Sequence, residues 1–356
     1  MQPLNLDANA TEPLRPEARG ALLAALDLGG NASSVHGGGR AARHLIEQAR
    51  AAIASRFGGE VVFTSGGTEA NALALHGLRP GRRVLAGATE HAAILAAAPE
   101  AEVIPVLPDG TLDLAALQAL LRGPPALVCV MAANNETGVL HPLVEVTALC
   151  RAAGALLHAD AVQAARLPGG FEADTVALSA HKLGGAPGAG ALLLRPGLHL
   201  PPLIMGGGQE RGRRGGTEAL PAIAGFAAAA QAPYDAGRIA RLRDAIEAGL
   251  EGVTIAGRSA PRLPNTSLLI LPGIPAETQV IALDLAGIRV SAGAACSSGK
   301  VARSHVLAAM GFDAEAGCGI RVSLPWNAPD DAAERFLQAY ATMRARLSSR
   351  RAAYAT

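Results

Sequence analysis

Lysine is nearly missing from this 356-residue chain. Only Lys182 and Lys300 occur, and all the other basic residues, of 31 in total, are arginine. Aromatic residues make up 3%, so a core has to be built from Ala, Leu, Val and Ile. No block of like charge exists and the net charge is +1, which leaves nucleic-acid or membrane-surface binding without electrostatic support. Cysteine is scarce too. The four, Cys129, Cys150, Cys296 and Cys318, have neither CxxC nor metal-ligand spacing, so neither a disulfide scaffold nor a metal centre is expected. Cys129, inside "ALVCVMA", reads as a buried core thiol, and Cys150 and Cys318 read the same way. The N-terminus lacks a basic region followed by an apolar run, and no stretch approaches a membrane span. The expected location is cytoplasmic.

What is present is a folded chain long enough for two domains: half its residues are apolar and 17% are charged. Short apolar runs predict strands at 61–64, 83–86, 103–106, 126–131, 155–158, 175–178 and 190–194. Helical patterns at 40–56, 68–77, 91–97, 113–121 and 142–153 lie between or before them. Such alternation predicts an α/β fold with a largely parallel sheet covered on both faces. After about 217 the pattern changes. Helices at 217–231 and 238–250, the run "NTSLLILP", a helix near 277–286 and a last helix at 330–347 predict a smaller α+β domain.

The chemistry concentrates where predicted strands end. "TSGGTEAN" (64–71) follows a strand and opens a helix, so its glycines, free N–H groups and Thr68 hydroxyl suit a phosphate. The same residues also suit an ordinary Gly-rich turn with a capped helix. "HADAVQ" (158–163) brings Asp160 and Gln163 to the carboxyl end of a strand, where α/β proteins bind ligands, although a helix-capping Asp is common. "NNETG" (134–138) and "SAHKLGG" (179–185) follow two more strands. Lys182 has what arginine lacks, an amine able to lose its proton and condense with an aldehyde. Such an amine, an aspartate and a phosphate cradle fit pyridoxal phosphate, with the carboxylate keeping the pyridine nitrogen protonated. Cys296 lies in the small-residue segment "SAGAACSSGK" (291–300), with Lys300 and Arg303 near enough to favour a thiolate. From that composition alone, a small buried residue in a tight turn is the slightly favoured reading. P-loop, dinucleotide-fingerprint and GxSxG patterns are not met.

Together these segments resemble the class V aminotransferase superfamily of fold type I, and within it the cysteine desulfurases of the NifS/IscS type. The resemblance runs from "LNLDANATEP" (4–13) through "GNASSVHGGGR" (30–40), "ATEHAAIL" (88–95), "MAANNETGVLHPL" (131–143) and "GGGQERGRRGGTE" (206–218) to "GIRVSL" (319–324). It implies a pyridoxal-phosphate-dependent transferase fold with a large domain, its mostly parallel seven-stranded sheet flanked by helices, plus a smaller α+β C-terminal domain. The implied boundaries are an N-terminal arm (1–15) packing with the small domain, a large cofactor-binding domain (16–235), and a small domain (236–356) carrying the catalytic Cys loop (291–303).

The resemblance also implies roles. Lys182 carries the cofactor as a Schiff base and Asp160 pairs with the pyridine nitrogen. His91 stacks on the ring and shuttles protons, and Gln163 bonds the phenolic oxygen. Gly67, Thr68, Ser179 and His181 hold the phosphate, with Thr217 reaching it from the other subunit of a homodimer. Asn135 and Arg321 bind the substrate carboxylate, and Asn135 also contributes to the cofactor site. Cys296 accepts the sulfur of L-cysteine as a persulfide while alanine leaves. The sulfur then passes to an acceptor protein, such as an iron–sulfur scaffold or a tRNA-thiolation relay. A selenocysteine lyase or another class V lyase or aminotransferase on the same fold, and a non-catalytic homologue acting as an assembly partner, are the alternatives. The chain departs from the family pattern at "HKLGGAPG", at "KVARSHVLAAMG", at "SLPWNAP", and in a short stretch between 218 and 261.

Overall fold

The computed structural model describes residues 3–293 and 303–354. A short strand, β1 (Leu4–Asn5), precedes helices α1 (Pro16–Leu28) and α2 (Gly37–Phe57). Strands and helices then alternate as β2 (Glu60–Thr64), α3 (Gly67–Leu78), β3 (Arg83–Gly87), α4 (Ala92–Leu95), β4 (Glu102–Ile104), α5 (Leu114–Leu120), β5 (Ala126–Met131), α6 (Leu143–Ala153), β6 (Leu156–Asp160), β7 (Thr175–Ser179) and β8 (Gly190–Leu194). These seven strands, from β2 to β8, form one sheet in the order β2-β8-β7-β6-β5-β3-β4. Only β8 runs against its neighbours.

Alternation of side chains explains how the sheet is covered on both faces. Along β5, Leu127 and Cys129 pack with α3 residues such as Leu73. Val128 and Val130 point the other way, against Leu117 of α5 and Val146 of α6. All six residues of β5 are buried, which is why the segment reads as an unbroken apolar run rather than an alternating one. Farther along the sheet, α1, α2 and α7 (Leu220–Gln231) cover Phe63, Leu178 and Leu193.

The chain continues through α8 (Ala236–Ala248), whose N-cap Asp235 accepts from Arg238 N at 2.9 Å. Next come β9 (Thr254–Ala256), β10 (Thr266–Ile270), α9 (Ala276–Leu285), β11 (Ile288–Arg289), β12 (Ser291–Ala292), α10 (His305–Ala309), β13 (Gly319–Ser323) and α11 (Ala332–Tyr354). An antiparallel sheet of order β12-β13-β10-β9 packs against α8, α9 and α11 around Leu269, Ile320 and Phe336. The N-terminal segment belongs to this second core: β1 pairs in parallel with β11, and Leu4 and Leu6 are buried there.

Several expected elements differ in extent. The helix expected over 91–97 is a single turn. The strand expected to reach residue 106 stops at Ile104, and Val106 instead bridges Leu112. The helix expected from 217 starts at Leu220, after Gly216 takes a φ of +96°. Strand β6 runs two residues past 158, because its register with β5 continues to the pair Met131 and Asp160. Cys129 and Cys150 are buried, but Cys318 is only half-buried.

Candidate active site

Strands β5, β6 and β7 are neighbours, and their carboxyl ends open on one cavity of about 320 Å³. Gly67 and Thr68 enter it from the first turn of α3, His91 from the cap of α4, and Asn135 from the turn after β5. Asp160 and Gln163 come from the end of β6, Ser179, His181 and Lys182 from the end of β7, and Arg321 from β13. Thr217 is exposed and does not line this cavity. Cys296 lies outside the described residues, as does Lys300.

Asp160 is 6% exposed and holds two donors: Val162 N reaches its Oδ1 at 3.0 Å and Asn71 Nδ2 its Oδ2 at 2.7 Å. Lys182 Nζ donates to the backbone oxygens of Asn9 (2.6 Å) and Ala10 (2.9 Å). Gln163 Nε2 donates to that same Asn9 oxygen at 3.0 Å, while its Oε1 accepts from Arg166 at 3.2 Å. His91 Nδ1 accepts from Ala93 N at 3.1 Å, so in the neutral ring the proton sits on Nε2. Burial, with the Lys182 charge adding to it, lowers the His181 imidazole to about 4, and its Nδ1 lies 3.1 Å from Thr11 Oγ1.

At the far wall, Arg321 gives Nη2 to Asp7 Oδ1 at 2.7 Å and Nη1 to Asn135 O at 3.1 Å. Its Nε is buried without a hydrogen-bond partner among the described residues. The turn carrying Asn135 is fixed by Asn134, whose Oδ1 accepts from Glu136 N and Thr137 N at 2.9 Å each.

The donor set fits pyridoxal 5′-phosphate. Helix α3 is 12 residues long, and its first residues, Gly67 and Thr68, line the cavity beside Ser179, so the free N–H groups of a helix start and two hydroxyls lie at one end of it. A Cβ on Gly67 would stand 2.6 Å from Val162 Cγ2, so only glycine lets this turn lie so close to the end of β6. An amine and a doubly hydrogen-bonded carboxylate complete the set.

Sequence reasoning missed three participants. Asn9 contributes only its backbone oxygen, which leaves no trace in residue type. Asn71 was legible in principle: it lies four residues after Gly67, on the same helix face. His158 lies two residues before Asp160, on the same face of β6.

Residues 4–336 match the Aminotransferase class-V family model. The chain is 44% identical over 352 residues to a cysteine desulfurase of Cereibacter sphaeroides, covering 91% of each. It superposes on a NifS-like protein from Rickettsia africae with a TM-score of 0.89 at 33% identity, covering 96% of this chain and 99% of that one. The structure of SspA in complex with cysteine is similar too, with a TM-score of 0.81, 26% identity, and coverage of 90% and 99%.

Proposed function

We propose that this chain, which belongs to the aminotransferase class-V family, is a cysteine desulfurase acting with pyridoxal 5′-phosphate. L-cysteine and a protein thiol are converted to alanine and a protein persulfide. The observation that carries the reading is the meeting of Lys182, Asp160 and the first turn of α3 around one cavity. That one solved relative is in complex with cysteine supports the substrate.

Pyridoxal phosphate, when bound, supplies a protonated ring that withdraws electrons from the substrate's α-carbon. Lys182 would hold its aldehyde, Asp160 its ring nitrogen, Gln163 its phenolic oxygen, and Gly67, Thr68, Ser179 and His181 its phosphate. The Asn9 and Ala10 oxygens take two N–H bonds of Lys182, whether that amine carries two protons or three. Lys182 is thereby oriented while Nζ takes and returns the substrate's α-proton. His91 would face the ring and move protons through Nε2. Arg321 and the Asn135 side chain would bind the substrate carboxylate, which fixes the α-carbon relative to Lys182. Cys296, as thiolate, receives the sulfur.

We further infer a homodimer in the cytoplasm. The segment ahead of Thr217 supports the dimer: Met205 is 84% exposed, Leu203 and Ile204 are exposed beside it, and Gly215 N, two residues before Thr217, bonds Ile204 O at 2.7 Å. A second copy would cover these apolar side chains and receive Thr217 at its phosphate site. Onward transfer of sulfur would go to an acceptor such as an iron–sulfur scaffold or a tRNA-thiolation relay.

Purified protein loaded with pyridoxal phosphate and given L-cysteine should yield alanine. Lys182→Ala should lose both the visible absorption and the alanine. Cys296→Ala should keep the absorption and lose sulfur release. Alanine formed at the original rate by the Lys182 variant would reject the reading.

A further inference from the structure

Asn71, His158 and Thr175 have no role in the chemistry above, yet they form one hydrogen-bonded line ending on Asp160. Thr175 Oγ1 lies 2.8 Å from His158 Nδ1, His158 Nε2 lies 2.9 Å from Asn71 Oδ1, and Asn71 Nδ2 lies 2.7 Å from Asp160 Oδ2. Thr175, His158 and Asn71 are no more than 1% exposed. Three elements contribute: α3 supplies Asn71, β6 supplies His158 and Asp160, and β7 supplies Thr175.

The direction of every bond follows from one end. An ionised carboxylate only accepts, so Asn71 must turn its amide nitrogen toward Asp160 and its oxygen toward His158. His158 must then carry its proton on Nε2, and Nδ1 accepts from the Thr175 hydroxyl. Burial keeps the imidazole neutral, with its pKa lowered to about 3, so it has a single N–H to give. Without that N–H, nothing prevents the Asn71 amide from turning its oxygen toward the carboxylate. Two acceptor oxygens would then face each other in a buried site, and the carboxylate would swing off its line to the ring nitrogen to relieve the repulsion.

We propose that Asn71 and His158 are positioning residues that keep the Asp160 carboxylate aimed at the ring nitrogen of the cofactor. The proposal rests on the pyridoxal-phosphate reading given above. Its test uses the full-length protein loaded with pyridoxal phosphate carrying nitrogen-15 in the ring, and follows the ring nitrogen's chemical shift against pH. In the wild type the nitrogen stays protonated through neutral pH. In Asn71→Ala and His158→Leu its deprotonation midpoint falls by roughly one pH unit, the tenfold change that one hydrogen bond to a charge can carry. His158→Gln, whose amide offers a donor near the place of Nε2, restores most of that shift. Restoration separates positioning from general loss of structure. If His158→Leu does not fold, Asn71→Ala against His158→Gln decides. Variants that titrate like the wild type overturn the proposal alone. A wild type that takes no cofactor onto Lys182 overturns the functional reading and this proposal with it.

Discussion

At Gly67 the absence of a side chain is what brings helix and strand together. The Cβ of an alanine there would meet Val162 Cγ2 at 2.6 Å, and Val162 N is a donor to Asp160. Gly67→Ala should therefore weaken pyridoxal-phosphate binding about tenfold by forcing Val162 aside, which equilibrium dialysis would measure. An unchanged affinity would mean that the turn yields without disturbing Asp160. His158 makes a second prediction. Its folded-state pKa of about 3 lies below the ordinary 6.5 because burial disfavours the imidazolium. Between those values the unfolded chain binds a proton that the folded chain refuses. The stability contributed by the neutral ring is complete above about 6.5 and is lost as pH falls toward 3. His158→Gln removes this dependence, so its stability relative to wild type should rise by up to about 1.4 kcal/mol per pH unit on acidification. Urea midpoints of both proteins at neutral and acidic pH would measure it.

Among the elements, α5 depends on one cap. Asp113 Oδ1 accepts from Ala115 N at 2.9 Å and Ala116 N at 3.0 Å, and Asp113→Ala should cost about 1 kcal/mol in a denaturant titration. The segment leading to Thr217 is held differently. Glu210 adopts a φ of +47°, unusual outside glycine, and its buried carboxylate accepts from Arg50 Nη1 and Nη2 (2.7 and 2.9 Å) and from Phe63 N (2.8 Å). Glu210→Ala would leave the Arg50 guanidinium on α2 without that carboxylate, at a cost of about 3–5 kcal/mol seen as a lowered denaturation midpoint. Elements of this kind were unevenly legible in the sequence. The run "ALVCVM" announced a strand covered on both faces, and "TSGGTEAN" announced a strand-to-helix turn. The Glu210 clamp left no local signature, because its partners lie 147 and 160 residues away. The same holds for the departure "SLPWNAP": Trp326 donates Nε1 to Pro13 O at 2.9 Å and lies under the Arg15 guanidinium, a contact that sequence order hides.

For the molecule as a whole, the N-terminal arm joins the two cores. Leu6 is fully buried, its N donates to Arg289 O at 2.8 Å, and its O accepts from Ser323 N at 2.7 Å. Leu6→Ala should destabilise the protein by about 2–5 kcal/mol, read by urea unfolding. It should also weaken cofactor retention, since three residues later the same arm presents Asn9 O to Lys182 and Gln163. Retention equal to wild type would separate the arm's structural role from its role at the amine. How the first residues meet the last third of the chain was not readable from composition or periodicity, because that pairing depends on two short strands, β1 and β11, of two residues each.

This pairing sets an order of events during synthesis. The carbonyls that grip the lysine are translated first, but the strand that holds their segment is completed only near residue 289, and Ser323 closes it later still. A ribosome must therefore release the chain through about residue 323 before the amine finds its final surroundings. A nascent chain stalled earlier would carry the sheet, and the lysine at its edge, before the segment bearing its two carbonyl partners is held in place.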